Sequence, residues 1–293
     1  MPSLREKVRA PAKLNLSLRI VGRRHDGYHL LDTLVVPVSL YDELVLGVAP
    51  ADSPQITVSC DSHHVPDGPA NLAYRAAALF LDSVGQDFTV NIGIAKRIPV
   101  GSGLGGGSSD AAAVLTTLNR LLGSPLSNER LAGLALELGA DVTFFVFGRP
   151  ARARGIGEQL EFVEFPERPF FVLCSDGYAL ATKSVYARVD LSLTSAGTNS
   201  NILPFIGGRA RVEDVLVNDL EAAAAQLHPE VLSLKARLME EGAVGALMTG
   251  SGSAVFGVWY DLHSAVQAAM RLRACGLWAE AVHVLNAAPT VRS

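Results

Sequence analysis

The stretch Pro99–Leu115, PVGSGLGGGSSDAAAVL, decides how this chain is read. Five glycines, Gly101, Gly103, Gly105, Gly106 and Gly107, precede two serines and an alanine-rich run. Without a Cβ, glycine can take positive φ and lets a ligand come close to the backbone. Ser108 and Ser109 lead into a helix predicted over Ser109–Leu122, with Leu115, Leu118 and Leu122 on one face. Free N–H groups and the dipole at that helix start favour an anion, and phosphate is the obvious guest. The serine hydroxyls can meet a phosphate or a magnesium ion. No lysine follows the last glycine, so the loop is not a Walker A motif. It fits a dinucleotide fingerprint poorly, because no acidic residue ends a second strand at the right distance. Taken alone, the segment can also be plain turn material, and Asp110 a simple complement to the dipole.

Upstream of the loop, Pro11–Leu18 and Leu30–Leu46 read as strands joined by the polar turn GRRHDGYH. Gln55–Cys60 and Phe88–Ile94 are further strands. Asn71–Val84 reads as a helix that Asn71 can cap. Lys7, Lys13, Lys96, Lys183 and Lys235 are the lysines of the chain. Lys13 lies among apolar residues, where an ammonium needs a partner unless it sits at an edge or snorkels. Asn15, two residues on, shares its face of the strand.

Downstream, Ser127–Leu138 is a helix that Gly139 stops. Asp141–Phe147 reads as an apolar strand or short turn. Within LGADVTFFVFG, Asp141 is a carboxylate beside a very apolar segment and requires a partner or a task. Helix capping or a structural salt bridge would satisfy it too. Arg152–Leu160 closes a compact unit. Phe170–Cys174 is a strand, Lys183–Val189 a helix and Leu191–Arg211 a loop. Helices follow at Val212–Gln226 and Pro229–Glu241. Strands Gly245–Met248 and Ala254–Tyr260 flank the loop TGSGS, and the chain ends in a helix, Ser264–Cys275, and a strand, Ala279–Leu285. The expected class is α+β in two domains, 1–163 and 164–293, joined near Glu161–Pro169.

Composition narrows the function. With 49% hydrophobic and 18% charged residues the 293-residue chain is globular. Net charge is 25 − 29 = −4, which speaks against a general nucleic-acid binder. The start MPSLREKVRAPAK has no apolar segment of the signal-peptide kind, and no apolar run approaches the roughly 18 residues that span a bilayer. Cys60, Cys174 and Cys275 are scattered and odd in number, so we expect buried inert thiols and a cytoplasmic protein.

Three segments, in this order, resemble the motifs of the GHMP kinase family: APAKLNLSLRI (Ala10–Ile20), PVGSGLGGGSSDAAA and MTGSGSAVFGV (Met248–Val258). The resemblance implies an N-terminal ribosomal-protein-S5-like domain and a C-terminal ferredoxin-like α/β sandwich. It also implies phosphorylation of a small-molecule alcohol, with ATP as co-substrate and Mg2+ as cofactor. The triphosphate would lie across Gly103–Ser109, within an ATP site formed by Pro99, Val100, Gly101, Ser102, Gly103, Leu104, Gly105, Gly106, Gly107, Ser108 and Ser109. Asn71 resembles a position near the adenine. Lys96 could act there too, a solvated strand-end lysine being the alternative. Lys13 and Asp141 match the family's catalytic pair; no metal ligand is identified.

DGYH (Asp26–His29) and GIGE (Gly155–Glu158) resemble one branch of the family, whose acceptor carries a cytidine diphosphate group. By that resemblance Tyr28 stacks on the cytosine and His29 hydrogen-bonds it. Asn15, Thr182, Tyr186, Gly250, Ser251 and Gly252 complete the substrate side. VNDLE (Val217–Glu221) matches as well, with Asn218 or Asp219 read as a helix cap. One departure stands out: where the family shows Pro-Gly after a strand, this chain has Cys174-Ser175-Asp176-Gly177. Other acceptors in the family, such as mevalonate, homoserine or a sugar, remain open, as does a non-catalytic ligand sensor. A monomer or homodimer without nucleic-acid or membrane partners is expected.

Overall fold

Ala10–Leu18 is buried without a break, because its strand is covered on both faces. The computed structural model describes residues 3–190 and 202–286. That strand, β1 (Leu4–Arg23), pairs antiparallel with β2 (His29–Pro50), and the turn between them contains DGYH. Next come β3 (Gln55–Cys60), α1 (Leu72–Val84) and β4 (Phe88–Ala95). The Asn71 side chain caps α1 by accepting from Ala73 N at 2.8 Å.

Helix α2 (Gly106–Leu121) begins three residues before the sequence-based start, directly within the glycine run. Helices α3 (Asn128–Leu138) and α4 (Ala140–Phe147) follow, then the hairpin β5 (Ala151–Gly155) and β6 (Gln159–Phe162). The reading of Asp141–Phe147 as a strand is corrected: it is helix α4. Phe and Val favour strands, but here tertiary burial wins. Val142, Thr143, Phe144 and Phe145 are all buried, and Gly148 ends the helix in the left-handed conformation.

The second half supplies β7 (Phe170–Ser175), α5 (Thr182–Tyr186), α6 (Ile202–Ile206) and β8 (Val217–Asn218). It continues with α7 (Glu221–Leu227), α8 (Glu230–Glu240), β9 (Ala246–Met248), β10 (Val255–Trp259), α9 (Leu262–Ala274) and β11 (Trp278–His283). Two expectations fail here. The loop assigned to Leu191–Arg211 contains α6, and its part from 191 to 201 lies outside the described residues. The helix assigned to Val212–Gln226 is a 3-10 turn (Val212–Val215), the short strand β8 and then α7.

Strands β1–β6 and β8 form one seven-stranded sheet; β11-β7-β10-β9 form a four-stranded antiparallel one. The latter order, 4-1-3-2 within its own strands and with helices between them, is ferredoxin-like. Strand β8 pairs parallel to β1 at Ser17 and Leu18, so the halves are stitched together along β1.

Strand β1 changes partners along its length. Val8 and Ala10 pack with α1 and α2, whereas Ala12, Leu14 and Leu16 pack with residues of the second half. A register shift between Pro11 and Ala12 marks the change. Irregularities of this kind re-aim side chains. Beyond it, Lys13 and Asn15 take the helix side of the sheet.

Candidate active site

A cleft of about 1120 Å³ runs between the two glycine-rich loops and the DGYH turn. That places it at the large end of small-molecule sites, which usually measure ~300–1,000 Å³. At one end lies the loop before α2. Lys13 N donates to Leu104 O at 3.0 Å, which ties the loop to β1. Ala254 N donates to Ser102 O at 3.0 Å, which ties it to the loop Thr249–Ser253. The two loops meet backbone to backbone. Gly103 has φ +81°, and a Cβ there would overlap the Thr249 carbonyl oxygen; a Cβ on Gly250 would fall 2.9 Å from Gly103 O. Glycine is required at both positions by contact as well as by φ.

Pro99, Val100, Gly101, Ser102, Gly103, Gly105, Gly106, Gly107 and Ser108 line the cleft, and Asn71 and Lys96 lie on its wall. Leu104, Ser109 and Gly252 do not. Leu104 is fully buried in the apolar core, and the Ser109 hydroxyl is buried without a hydrogen-bond partner. Gly252 packs behind the loop against Met248 and Leu180. The side chains of Leu104 and Ser109 and the Cα of Gly252 thus shape the two loops from behind the cleft.

Lys96 is not a solvated strand-end lysine. Its buried ammonium sits between Asp42 and Asp110, with Asp110 Oδ2 at 2.8 Å. Asp42 Oδ1 also accepts from Arg97 N at 2.6 Å and Ile98 N at 2.9 Å, so two backbone amides hold Asp42 in place. Asp110 has no such support, and its Oδ1 has no partner. Burial pushes the Asp110 carboxyl up to about 7, the Lys96 charge opposing this and the Asp42 charge adding to it. Burial works against the Lys96 charge too, but the two carboxylates outweigh it and raise that pKa. Asp110 is therefore no surface complement to the helix dipole. Sequence reasoning missed Asp42; its only signal was an acid inside the Val- and Leu-rich strand β2.

Lys13 and Asp141 meet in the middle of the cleft. Lys13 is 4% exposed, and its Nζ lies 4.0 Å from Asp141 Oδ2. The ammonium also donates to Asn15 Oδ1. Asn15 is held in turn by Thr33 Oγ1, 2.8 Å from its Nδ2, and Thr249 Oγ1, 3.0 Å from its backbone N. Burial lowers the Lys13 pKa, and the negative charge of Asp141 offsets part of that loss. Asp141, in the first turn of α4, has a half-exposed carboxylate facing the open cleft.

The far end carries the aromatic residues. Tyr28 is 61% exposed at the rim. His29 stacks on Tyr186 with ring centroids 5.1 Å apart. Burial, and then the charge of Arg23, lower the His29 pKa, so its ring stays neutral and can both donate and accept. Thr182 Oγ1 and Ser251 Oγ are 2.9 Å apart. Thr182, Tyr186, Gly250 and Ser251 all line this part of the cleft.

Leu220, not Asn218 or Asp219, is the N-cap residue of α7, and Asn218 Oδ1 accepts from its backbone N at 3.0 Å. Asn218 Nδ2 donates to Met248 O and Gly250 O, both at 2.8 Å, and so holds the second glycine loop. Asp219 accepts from Ile20 N at 2.8 Å and Arg19 Nη1 at 2.9 Å. Of the cysteines only Cys174 is fully buried, its thiol pushed up to about 12 by burial; Cys60 is half-buried and Cys275 exposed. No helix among the described residues is long and apolar enough to cross a membrane.

Residues 71–149 match the N-terminal domain of GHMP kinases and residues 208–276 the C-terminal one. Two relatives named 4-diphosphocytidyl-2-C-methyl-D-erythritol kinase are similar in sequence to this chain along nearly its whole length. That of Geobacter sp. (strain M21) is 43% identical over 92% of this chain and 95% of its own. That of Syntrophotalea carbinolica is 44% identical over 96% and 99%. A crystal structure of 4-(cytidine 5'-diphospho)-2C-methyl-D-erythritol kinase superimposes with a TM-score of 0.79 at 40% identity, covering 94% of this chain and 99% of that one. A homoserine kinase from Cytophaga hutchinsonii, 18% identical over 97% and 95%, shares the fold with a TM-score of 0.76. The chain belongs to the GHMP kinase family.

Proposed function

We propose that the protein is a 4-diphosphocytidyl-2-C-methyl-D-erythritol kinase, which uses ATP to phosphorylate the 2-hydroxyl of that acceptor in isoprenoid precursor biosynthesis. The products are the 2-phosphate and ADP. The observation that carries this reading is the placement of Lys13 and Asp141 between two different ends of one cleft. One end offers the amides of a glycine loop and a helix start, suited to a triphosphate. The other offers Tyr28, His29 and Tyr186, suited to a flat base with a hydrogen-bonding edge.

In this assignment Asp141 accepts the proton of the 2-hydroxyl as its oxygen attacks the γ-phosphorus in line with the departing ADP. Lys13 orients Asp141 and stabilises charge that develops on the transferring group. Asn15 fixes the lysine, and Thr33 and Thr249 fix Asn15. Because Lys13 is pre-positioned and largely stripped of water, its charge acts more strongly on the reacting atoms than a solvated ammonium would. Tyr28 and His29 hold the cytosine, and Thr182, Tyr186 and the Gly250–Gly252 loop the rest of the acceptor.

Magnesium fits the site as an ion shared with the nucleotide. Among the described residues no group of three His, Cys, Asp or Glu side chains could hold a metal. Mg2+ commonly relies on phosphate oxygens and water with few protein ligands. The Ser108 hydroxyl, on the cleft wall at the start of α2, is the protein oxygen we assign to it. When bound, the ion would neutralise phosphate charge. We also propose units 1–163 and 164–293, supported by the change of sheet between β6 and β7.

A ligand sensor has no need of a buried ammonium aimed at a cleft carboxylate, and this pair favours turnover. The test is ADP release from ATP with diphosphocytidyl-methylerythritol, mevalonate or homoserine as acceptor. Turnover confined to the first supports the assignment, and preference for either of the others overturns it.

A further inference from the structure

After β7 the chain reads Ser175-Asp176-Gly177-Tyr178 where the family resemblance leads one to expect Pro-Gly. The segment makes its own tight turn. Gly177 N donates to Ser175 Oγ and Tyr178 N to Asp176 Oδ1, each at 3.1 Å. The second Asp176 oxygen, Oδ2, lies 2.7 Å from His228 Nε2. His228 belongs to the link between α7 and α8 and is 8% exposed. Its ring stacks on Tyr178, with centroids 4.2 Å apart and planes 10° from parallel. Its Nδ1 is 3.0 Å from Glu230 Oε2. One contact fixes the position of the ring and the other its plane.

The residues that follow run as a strap past both glycine loops. Ser253 Oγ donates to the Tyr178 carbonyl. Leu180 N donates to Gly101 O at 3.1 Å. Ala179 presses so closely on Gly101 that a Cβ there would lie 2.7 Å from the Ala179 Cβ. Thr182 then meets Ser251, and Tyr186 meets His29. The strap thus touches the phosphate loop, the second glycine loop and the acceptor end in turn. Asp176 and His228 do not line the cleft themselves.

We propose that His228 is a positioning residue for phosphoryl transfer, acting through Asp176 and Tyr178 to hold the strap Asp176–Thr182 against both glycine loops. This rests on the reading of the cleft given above. In place of a Pro-Gly turn stiffened by its own backbone, this chain uses a side-chain clamp from a different helix pair. An aromatic face and a ring N–H directed at a carboxylate are what imidazole combines.

Three variants test it: His228→Phe keeps the aromatic face and loses the donor, His228→Gln keeps a donor, and Asp176→Asn removes the acceptor charge with little change of shape. Hydrogen exchange of the Leu180 amide reports the strap directly. His228→Phe and Asp176→Asn should each speed that exchange roughly tenfold, the scale of one charge-assisted hydrogen bond. Both should raise the KM values for ATP and acceptor several-fold, by more than any fall in Tm accounts for. The double variant should be no worse than either single one, since the two residues form one interaction, and His228→Gln should recover most of the protection. Unchanged Leu180 exchange and KM values, or effects that add in the double variant, would overturn the proposal. The exchange measurement needs no acceptor. An inactive wild-type protein would therefore sink the functional reading and leave this test standing.

Discussion

Lys13 Nζ lies 4.0 Å from Asp141 Oδ2 although the two residues come from different layers, a central strand and the first turn of a helix. The lysine is buried and the aspartate half exposed, so the pair is asymmetric. Removing water from Lys13 costs stability, and Asp141 returns only part of it. A cost of that kind is expected where a charge serves chemistry.

Lys13→Met should therefore separate activity from stability. Turnover should fall by at least about a hundredfold, the scale of losing one pre-organised charge. Tm should fall only modestly, because relief of the desolvated charge offsets the loss of the donor to Asn15 Oδ1. Steady-state kinetics and a thermal melt check both halves; a large fall in Tm with turnover retained would reverse the assignment.

Tyr28→Ala should raise the acceptor KM far more than the ATP KM. Base–aromatic stacking is worth roughly 1–3 kcal/mol, which corresponds to about 5- to 150-fold. Equal changes in the two KM values would move Tyr28 out of the acceptor site.

Asp110 gives a pH prediction. Its carboxyl is pushed up to about 7 in the folded protein, from an ordinary carboxylate value when unfolded. Between those values the folded state holds the extra proton, so this residue's contribution to stability falls as pH rises from about 4 towards 7. Asp110→Asn cannot ionise and escapes that loss. Its Tm relative to wild type should be highest near pH 8 and decline towards pH 5. A Tm difference independent of pH would contradict the buried, proton-sharing arrangement with Asp42 and Lys96.

Gly250→Ala should damage folding and catalysis together. The residue has φ +55°, and a Cβ would lie 3.0 Å from Lys13 Nζ. The left-handed conformation alone costs an alanine roughly 1–2 kcal/mol. A lower Tm with a reduced kcat is expected, and an unchanged kcat would show that Lys13 tolerates the intrusion.

Much of this was legible in the sequence because local rules and tertiary structure agreed. The Asn71 cap, the strands around TGSGS and the glycine run before α2 all followed from residue chemistry. Helix α4 did not, since its Phe and Val residues favour a strand until burial on every side decides otherwise. Asp42 was missed and Asp110 misread because only pairing across 68 positions of chain shows that they share Lys96. The His228 clamp was hidden for the same reason: Asp176 and Tyr178 lie fifty residues earlier in the chain. Spacing along a sequence reports neighbours on one element, and says little about side chains that meet across elements.

The most direct measurement compares wild type with Asp141→Ala, reading ADP release with saturating ATP and diphosphocytidyl-methylerythritol alongside ATP affinity by calorimetry. The predicted result is turnover lowered by about 10²–10⁴, the range for a general base, with ATP affinity nearly intact. Near-normal turnover in the variant would contradict the account.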